Sequence, residues 1–408
     1  MHRLFPNTDR QAILTITFFF VQGVIHNLGH PVTPAFVKSL SIPDYMFGVF
    51  FALMSFGLML GGPFWGILAD RGKKTNYMLL GLIIYSLGQI GFAYSGIRTA
   101  MVFFRFLSGF GVAAAITLLT SHIIEISSPE GRAKNLAYTS AAFIFGTALG
   151  YGIGGFLGTD PSVTGFLRTD DFRVIFLIQA ITNAVYAIVL YASIREVKDD
   201  PQVKKASMLE GLKAITRIDS SLLIFLLSLT LMTIGHINLN KYIDVYFNEL
   251  GYSPQQLGNF VMVTGIASIF ANVFILPLIA SNKRQLTVIS FVHILSALIV
   301  LFVFRASAFL LAAYTIYLVY VMIKAMYQPL EQNFISTYVK DDRYASVMGL
   351  RQSFVAIGMV IGPLVGGFLY DRSPLLLFDF NAGVFILGVM LLPLVHILAK
   401  RKERRDSE

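Results

Sequence analysis

The chain has 408 residues, 55% of them hydrophobic and only 13% charged, about half the charged fraction of an ordinary soluble domain. So few charges cannot cover a water-facing surface, and the composition points to lipid as the solvent. The absence of Cys excludes a disulfide framework, thiolate chemistry and cysteine metal sites. The net charge of +9 lies mostly in loops, as membrane topology requires, and no nucleic-acid partner is expected.

Twelve apolar runs of membrane-spanning length follow one another, at about 12–36, 45–69, 76–96, 100–126, 134–158, 172–193, 219–247, 255–281, 286–304, 308–337, 344–369 and 375–399. They predict an all-α, multi-pass membrane protein with 12 transmembrane helices. The first run lacks a small-residue cleavage site and reads as a retained span rather than a signal peptide. Lys and Arg concentrate in the two tails, in the loops at Arg71, Arg132, Lys283 and Lys340, and in the central polar stretch. The alternate loops hold only Lys38, Arg98, Arg168, Arg173, Arg305 and Arg372. By the positive-inside rule both termini are cytoplasmic. The polar stretch "REVKDDPQVKKASMLEGLKAITRIDS" separates six spans from six. It defines an N-terminal six-helix bundle at 1–194, a cytoplasmic linker at 195–218 with a short amphipathic helix expected at 208–215, and a C-terminal six-helix bundle at 219–408.

Ionisable groups inside spans are costly and are functional candidates by default. In span 1, His26 and His30 are four residues apart and would share a helix face; they are candidate proton relays, against the plainer reading of hydrogen-bonded packing. Two ligands are too few for a metal, and no metal site is expected. Arg105 lies inside span 4, where a cation holding a hydrogen-bond network that changes on protonation competes with a side chain reaching out to the interface. In span 5, "GTALGYGIGG" places Gly146, Gly150 and Gly154 on one face. "GMVIGPLVGG" in span 11 repeats this with Gly358, Gly362, Pro363 and Gly366 at an offset of 212 residues, so the halves read as pseudo-symmetric repeats. Such small-residue stripes let backbones approach closely, and they are expected to pack spans 5 and 11 against spans of the opposite half.

Span 7, "GHINLNKYIDVYF", carries Asn238, Lys241 and Asp244, with Lys241 and Asp244 spaced to pair. Under the 212 offset His26 corresponds to Asn238. In span 10, Tyr320, Lys324, Tyr327 and Glu331 form one polar stripe at i, i+4, i+7 and i+11, expected to face the bundle interior or the central cavity and to bind substrate or carry protons, against structural hydrogen bonding between bundles.

"GGPFWGILADRGKKTNYMLL" resembles the loop between spans 2 and 3 of the major facilitator superfamily, with one residue fewer between Arg71 and Gly72. "RFLSGFGVAAA", with Arg105, resembles that family's span 4 motif, "SPEGRAKNLAY" the loop after it, and "GHPVTPAF" a span 1 motif of the drug:proton antiporter branch. "GTALGYGIGG" resembles the antiporter motif of span 5, except that Tyr151 stands where the family has Pro. The resemblance implies two six-helix bundles working by alternating access. It also implies a cytoplasmic gate built on Gly66, Asp70, Arg71, Lys73 and Lys74, with Glu125 and Arg351 as further members, and proton coupling through Arg105.

The function expected is secondary active transport, most simply proton-coupled efflux of amphipathic or hydrophobic compounds. A lipid or glycolipid flippase of the same fold, or an importer of a polar metabolite, are the alternatives. No HExxH, GxSxG or P-loop is present, so no enzyme is expected, and no cofactor beyond the proton gradient. The partners expected are a small-molecule or lipid-like substrate and the bilayer, for a monomer in the bacterial cytoplasmic membrane.

Overall fold

The computed structural model describes residues 10–69, 72–128, 131–167, 171–195, 219–280, 284–338 and 341–407. The linker from 196 to 218, with the helix expected in it, lies outside them, as do Asp70 and Arg71. The first half comprises α1 (Arg10–Asn27), α2 (Thr33–Ser39), α3 (Tyr45–Ala69), α4 (Lys74–Tyr94), α5 (Arg98–Ile126), α6 (Arg132–Thr159), α7 (Pro161–Leu167) and α8 (Arg173–Ser193). The second comprises α9 (Ser220–Glu249), α10 (Pro254–Phe270), a π turn (Ala271–Ile275), α11 (Leu276–Ala280), α12 (Gln285–Val303), α13 (Phe309–Tyr314), α14 (Ile316–Tyr338), α15 (Asp341–Arg372) and α16 (Pro374–Ser407).

Among the described residues, eleven helical stretches are long and apolar enough to cross a membrane. The stretch outside that set is α1, which carries Arg10, Gln11, Gln22, His26 and Asn27 in 18 residues. The first span was expected to run unbroken to 36, but α1 ends at Asn27 and a turn leads to α2. Pro31 explains the break, because it lacks an N–H and disfavours helical geometry in the residue before it, which is His30. His26 and His30 therefore do not share one helix.

Helix ends follow local chemistry. The backbone N–H of Ser162 donates to Asp160 Oδ1 at 2.9 Å, so Asp160 caps α7, and the N–H of Arg173 donates at 3.0 Å to Oδ1 of Asp171, which precedes the N-cap Phe172 of α8. The turns after α4 and α9 use Gly96 (φ +65°) and Gly251 (φ +82°), a region that favours glycine.

The chain forms two compact units. One contains Met1–Pro43, Val49–Lys205 and Asp244–Gly265; the other contains Asp44–Gly48, Ala206–Ile243 and Ile266–Glu408. In the first, Gly146 and Gly150 lie against the carbonyls of Phe20 and Val24 on α1, and Gly154 against that of Leu28 just after it. In the second, Gly358, Gly362 and Gly366 lie against Thr233, Ile237 and Asn238 on α9. Both stripes thus seat spans 5 and 11 on a helix of their own half, correcting the expectation of opposite-half packing. Other glycines meet the opposite half: Gly155 touches Pro254, Gly152 touches Met262, and Gly367 touches Tyr45. The spacing identified the close-packed face, and the partner expected for the stripes was the wrong half.

Gly154→Val places a branched side chain on the Leu28 carbonyl, where overpacking costs about 1–3 kcal/mol or more. The expected result is a lower thermal midpoint in detergent by fluorescence-detected size exclusion. Gly66→Ala meets nothing within 4 Å and is expected to leave the midpoint unchanged; equal midpoints for both variants would remove the packing argument.

Candidate functional site

In the first unit, polar groups of α1, α4 and α8 satisfy one another. The Nδ2 of Asn183 donates to the Leu82 carbonyl at 2.8 Å and to Ser86 Oγ at 2.9 Å. Its Oδ1 then accepts from His26 Nε2 at 2.9 Å, which fixes the His26 tautomer. Gln179 Nε2 donates to the carbonyls of Ile25 and His26, each at 2.9 Å, and to Tyr85 Oη at 3.0 Å. His26 is thereby tied to α8 by its side chain and by its own carbonyl.

His30 goes elsewhere. Its ring stacks between Phe51 at 5.6 Å and Tyr151 at 5.5 Å between centroids. The Tyr151 hydroxyl donates to Asp244 Oδ2 at 3.0 Å. Asp244 is 1% exposed, on the last turns of α9. The tyrosine that replaces the motif proline on α6 is thus the residue that reaches this carboxyl group.

Arg105, 5% exposed, does not extend to an interface. Its guanidinium sits 3.6 Å from the centroid of Phe92 and 5.9 Å from that of Phe176, a desolvated cation–π arrangement worth about 2 kcal/mol. Among the described residues its Nε has no hydrogen-bond partner. Of the expected cytoplasmic gate, Lys74 pairs with Glu125, which also accepts from Ser121 Oγ at 2.7 Å. Lys73 is exposed and Gly66 half-buried. Arg351 lies in the second unit with a different partner.

In that unit the stripe on α14 is turned largely towards α9. Tyr320 Oη lies 2.9 Å from His236 Nδ1, Lys324 Nζ donates to Asn240 Oδ1 at 2.8 Å, and Tyr327 Oη donates to Met232 Sδ at 3.0 Å. Glu331, 1% exposed, is ion-paired with Arg351, 5% exposed, the Nε–Oε1 distance being 2.9 Å. Asn238 Nδ2 donates to Asn381 Oδ1 at 3.1 Å, and Tyr242 Oη donates to the Pro363 carbonyl at 2.9 Å. Lys241 is half-buried on α9. Spans 1 and 7 thus make matching contacts: His26 to an asparagine of α8, Asn238 to an asparagine of α16.

The model of the Major Facilitator Superfamily matches residues 13–324 and 321–408. The chain belongs to the major facilitator superfamily. It is 24% identical over 382 residues to "Quinolone resistance protein NorA" of Staphylococcus aureus (strain MSSA476), covering 92% of both chains. It is 23% identical over 387 residues to "Multidrug resistance protein 2" of Bacillus subtilis (strain 168), covering 93% of both. Its fold matches that of a bacterial homolog to the human lysosomal transporter Spinster, at a TM-score of 0.71 and 14% identity over 96% of this chain and 97% of that one. It also matches the xylose transporter XylE from E. coli, at 0.67 and 17% over 94% of each. As a member of the major facilitator superfamily, the chain is a multi-pass transporter of the cell membrane and not an enzyme.

Sequence reasoning singled out neither His293, the one ionisable side chain in α12, nor Gln22, which is fully buried with neither amide atom hydrogen-bonded among the described residues. Both were readable as lone polar groups in apolar runs. Asn183, Gln179 and Asn381 had the same signal but are uncharged, and a search for ionisable groups passes over them.

Glu331→Gln leaves the buried Arg351 guanidinium without its counter-charge, at a cost of about 3–5 kcal/mol. A large drop in thermal midpoint is expected, partly recovered when Arg351→Gln is added. Two single variants that behave like surface substitutions would show that the pair is not needed.

Proposed function

We propose that this superfamily member is a proton-coupled exporter of amphipathic or hydrophobic compounds, working by alternating access. The observation that carries this reading is Asp244, a carboxyl group 1% exposed in an apolar helix and held by the Tyr151 hydroxyl. A carboxyl group in such a place either carries a proton or needs strong local support. Parting α6 from α9 removes the phenolic donor and admits water, which changes the proton affinity of Asp244. The free energy of that rearrangement then depends on whether Asp244 is protonated, and this dependence is what coupling means.

The printed names of the Staphylococcus and Bacillus relatives, a quinolone resistance protein and a multidrug resistance protein, support a drug-like cargo. The reading also takes 12 spans with both termini cytoplasmic, bundles at 1–194 and 219–408 rocking about the linker at 195–218, a monomer, and the proton gradient as the energy source with no cofactor. Lys74, Glu125, Asp70 and Arg71 serve as the cytoplasmic gate.

The test is made on purified protein in liposomes loaded with acid, using a fluorescent lipophilic cation. Wild-type protein is expected to drive uptake that collapses with a protonophore, and Asp244→Asn to lower gradient-driven uptake about a hundredfold. Folded wild-type protein that moves no cation with the gradient would overturn the proposal.

A further inference from the structure

A second group of titratable side chains lies in the other unit. His236 on α9, His293 on α12 and Tyr320 on α14 are all buried and joined in a row. Tyr320 Oη lies 2.9 Å from His236 Nδ1, His236 Nε2 lies 3.2 Å from His293 Nε2, and His293 Nδ1 lies 2.8 Å from the Ile289 carbonyl.

The polarity of this row can be worked out from its closed end. A carbonyl only accepts, so His293 Nδ1 carries a hydrogen. A neutral His293 then offers a lone pair at Nε2, and His236 must donate to it from its own Nε2. That leaves a lone pair on His236 Nδ1, which takes the hydrogen of the Tyr320 hydroxyl. Every bond in the row points from Tyr320 towards Ile289.

We propose that Tyr320, His236 and His293 are a one-ended proton wire that loads and unloads a buried proton store at His293. A proton arriving at Tyr320 Oη bonds to an oxygen lone pair while the original phenolic hydrogen passes to His236 Nδ1. The hydrogen on His236 Nε2 passes to His293 Nε2. The products are a neutral Tyr320, a neutral His236 in the opposite tautomer, and a His293 imidazolium whose Nδ1–H still points at Ile289. One proton has entered and one positive charge has appeared. Because the far end is a carbonyl, the proton leaves only by the way it came, so the row stores a proton and does not conduct one across the membrane.

The entrance lies beside exposed ground. Asn240 is exposed and Lys324 half-buried; they are bonded to each other and stand one helical turn from His236 and Tyr320. The charged and titratable groups facing the row are Lys324, Tyr317 and Tyr327 from α14, with Glu331 of α14 and Arg351 of α15 next to Tyr327. α16 presents the apolar ring of Phe385. Lys324 acts electrostatically on His236, so a proton entering the row through His236 bears on the α9–α14 contact made by Lys324 and Asn240.

This inference rests on the proton-coupled reading, and the experiment separates the two. Full-length protein is labelled with ¹⁵N-histidine in nanodiscs, and the His236 and His293 signals are assigned by substituting each in turn. At neutral pH, His293 is expected as the Nδ1–H form and His236 as the Nε2–H form. On acidification, His293 becomes doubly protonated and His236 switches to Nδ1–H. Two histidines in the same tautomer, or no switch where uptake titrates, overturns the wire. In the liposome assay, Tyr320→Phe is expected to lower uptake about a hundredfold and to abolish its response to the gradient. If wild-type protein follows the gradient and Tyr320→Phe follows it equally, only the wire fails. If wild-type protein ignores the gradient, the parent reading fails and takes the wire with it.

Discussion

Hydrocarbon offers no hydrogen bonds, so each polar group that this chain carries into the membrane must be answered by another part of the chain. Much of the architecture follows from that constraint. The Asn183 amide, with three of its bonds committed, joins α1, α4 and α8, and Gln179 adds three more ties among the same helices. In the other unit the stripe on α14 answers polar groups of α9 and α15. Lipid-facing side chains need no such specificity, and they supply the large exposed apolar residues, such as Phe274, Leu278 and Phe291.

Polar bonds of this kind are short, so they form only where helices approach closely. The glycine stripes meet that need on α6 and α15, where a side chain would collide with backbone or with Thr233, Ile237 and Asn238. Close approach and polar satisfaction therefore occur on the same helices: α1 receives both the α6 stripe and the His26 contact, and α9 receives both the α15 stripe and the Asn238 contact. The repetition at an offset of 212 residues carries both devices together.

The apolar runs and loop charges made the helices and the family legible in the sequence, because hydropathy over 20 residues is a local property. The glycine stripes were legible as faces, but not as pairs, since spacing along one helix says nothing about which helix lies opposite. Proline chemistry at Pro31 was available and outweighed by the apolar run around it, so the end of α1 came out too late. The α14 stripe was legible because its period is local; that Glu331 would meet Arg351 was not, because the two are brought together by packing. Tyr151 stood out only as a departure from a motif. What it touches, Asp244, is 93 residues away and needed the fold.

The π turn at Ala271–Ile275 interrupts the span of which the smallest share is buried, 17% against 33–61% for the others. Lipid chains are fluid neighbours that hold no fixed shape, so along most of that span the backbone ladder alone resists bending. A π turn widens the ladder and weakens that resistance locally. The least buried of the described spans is thus also the one whose backbone ladder is locally widened.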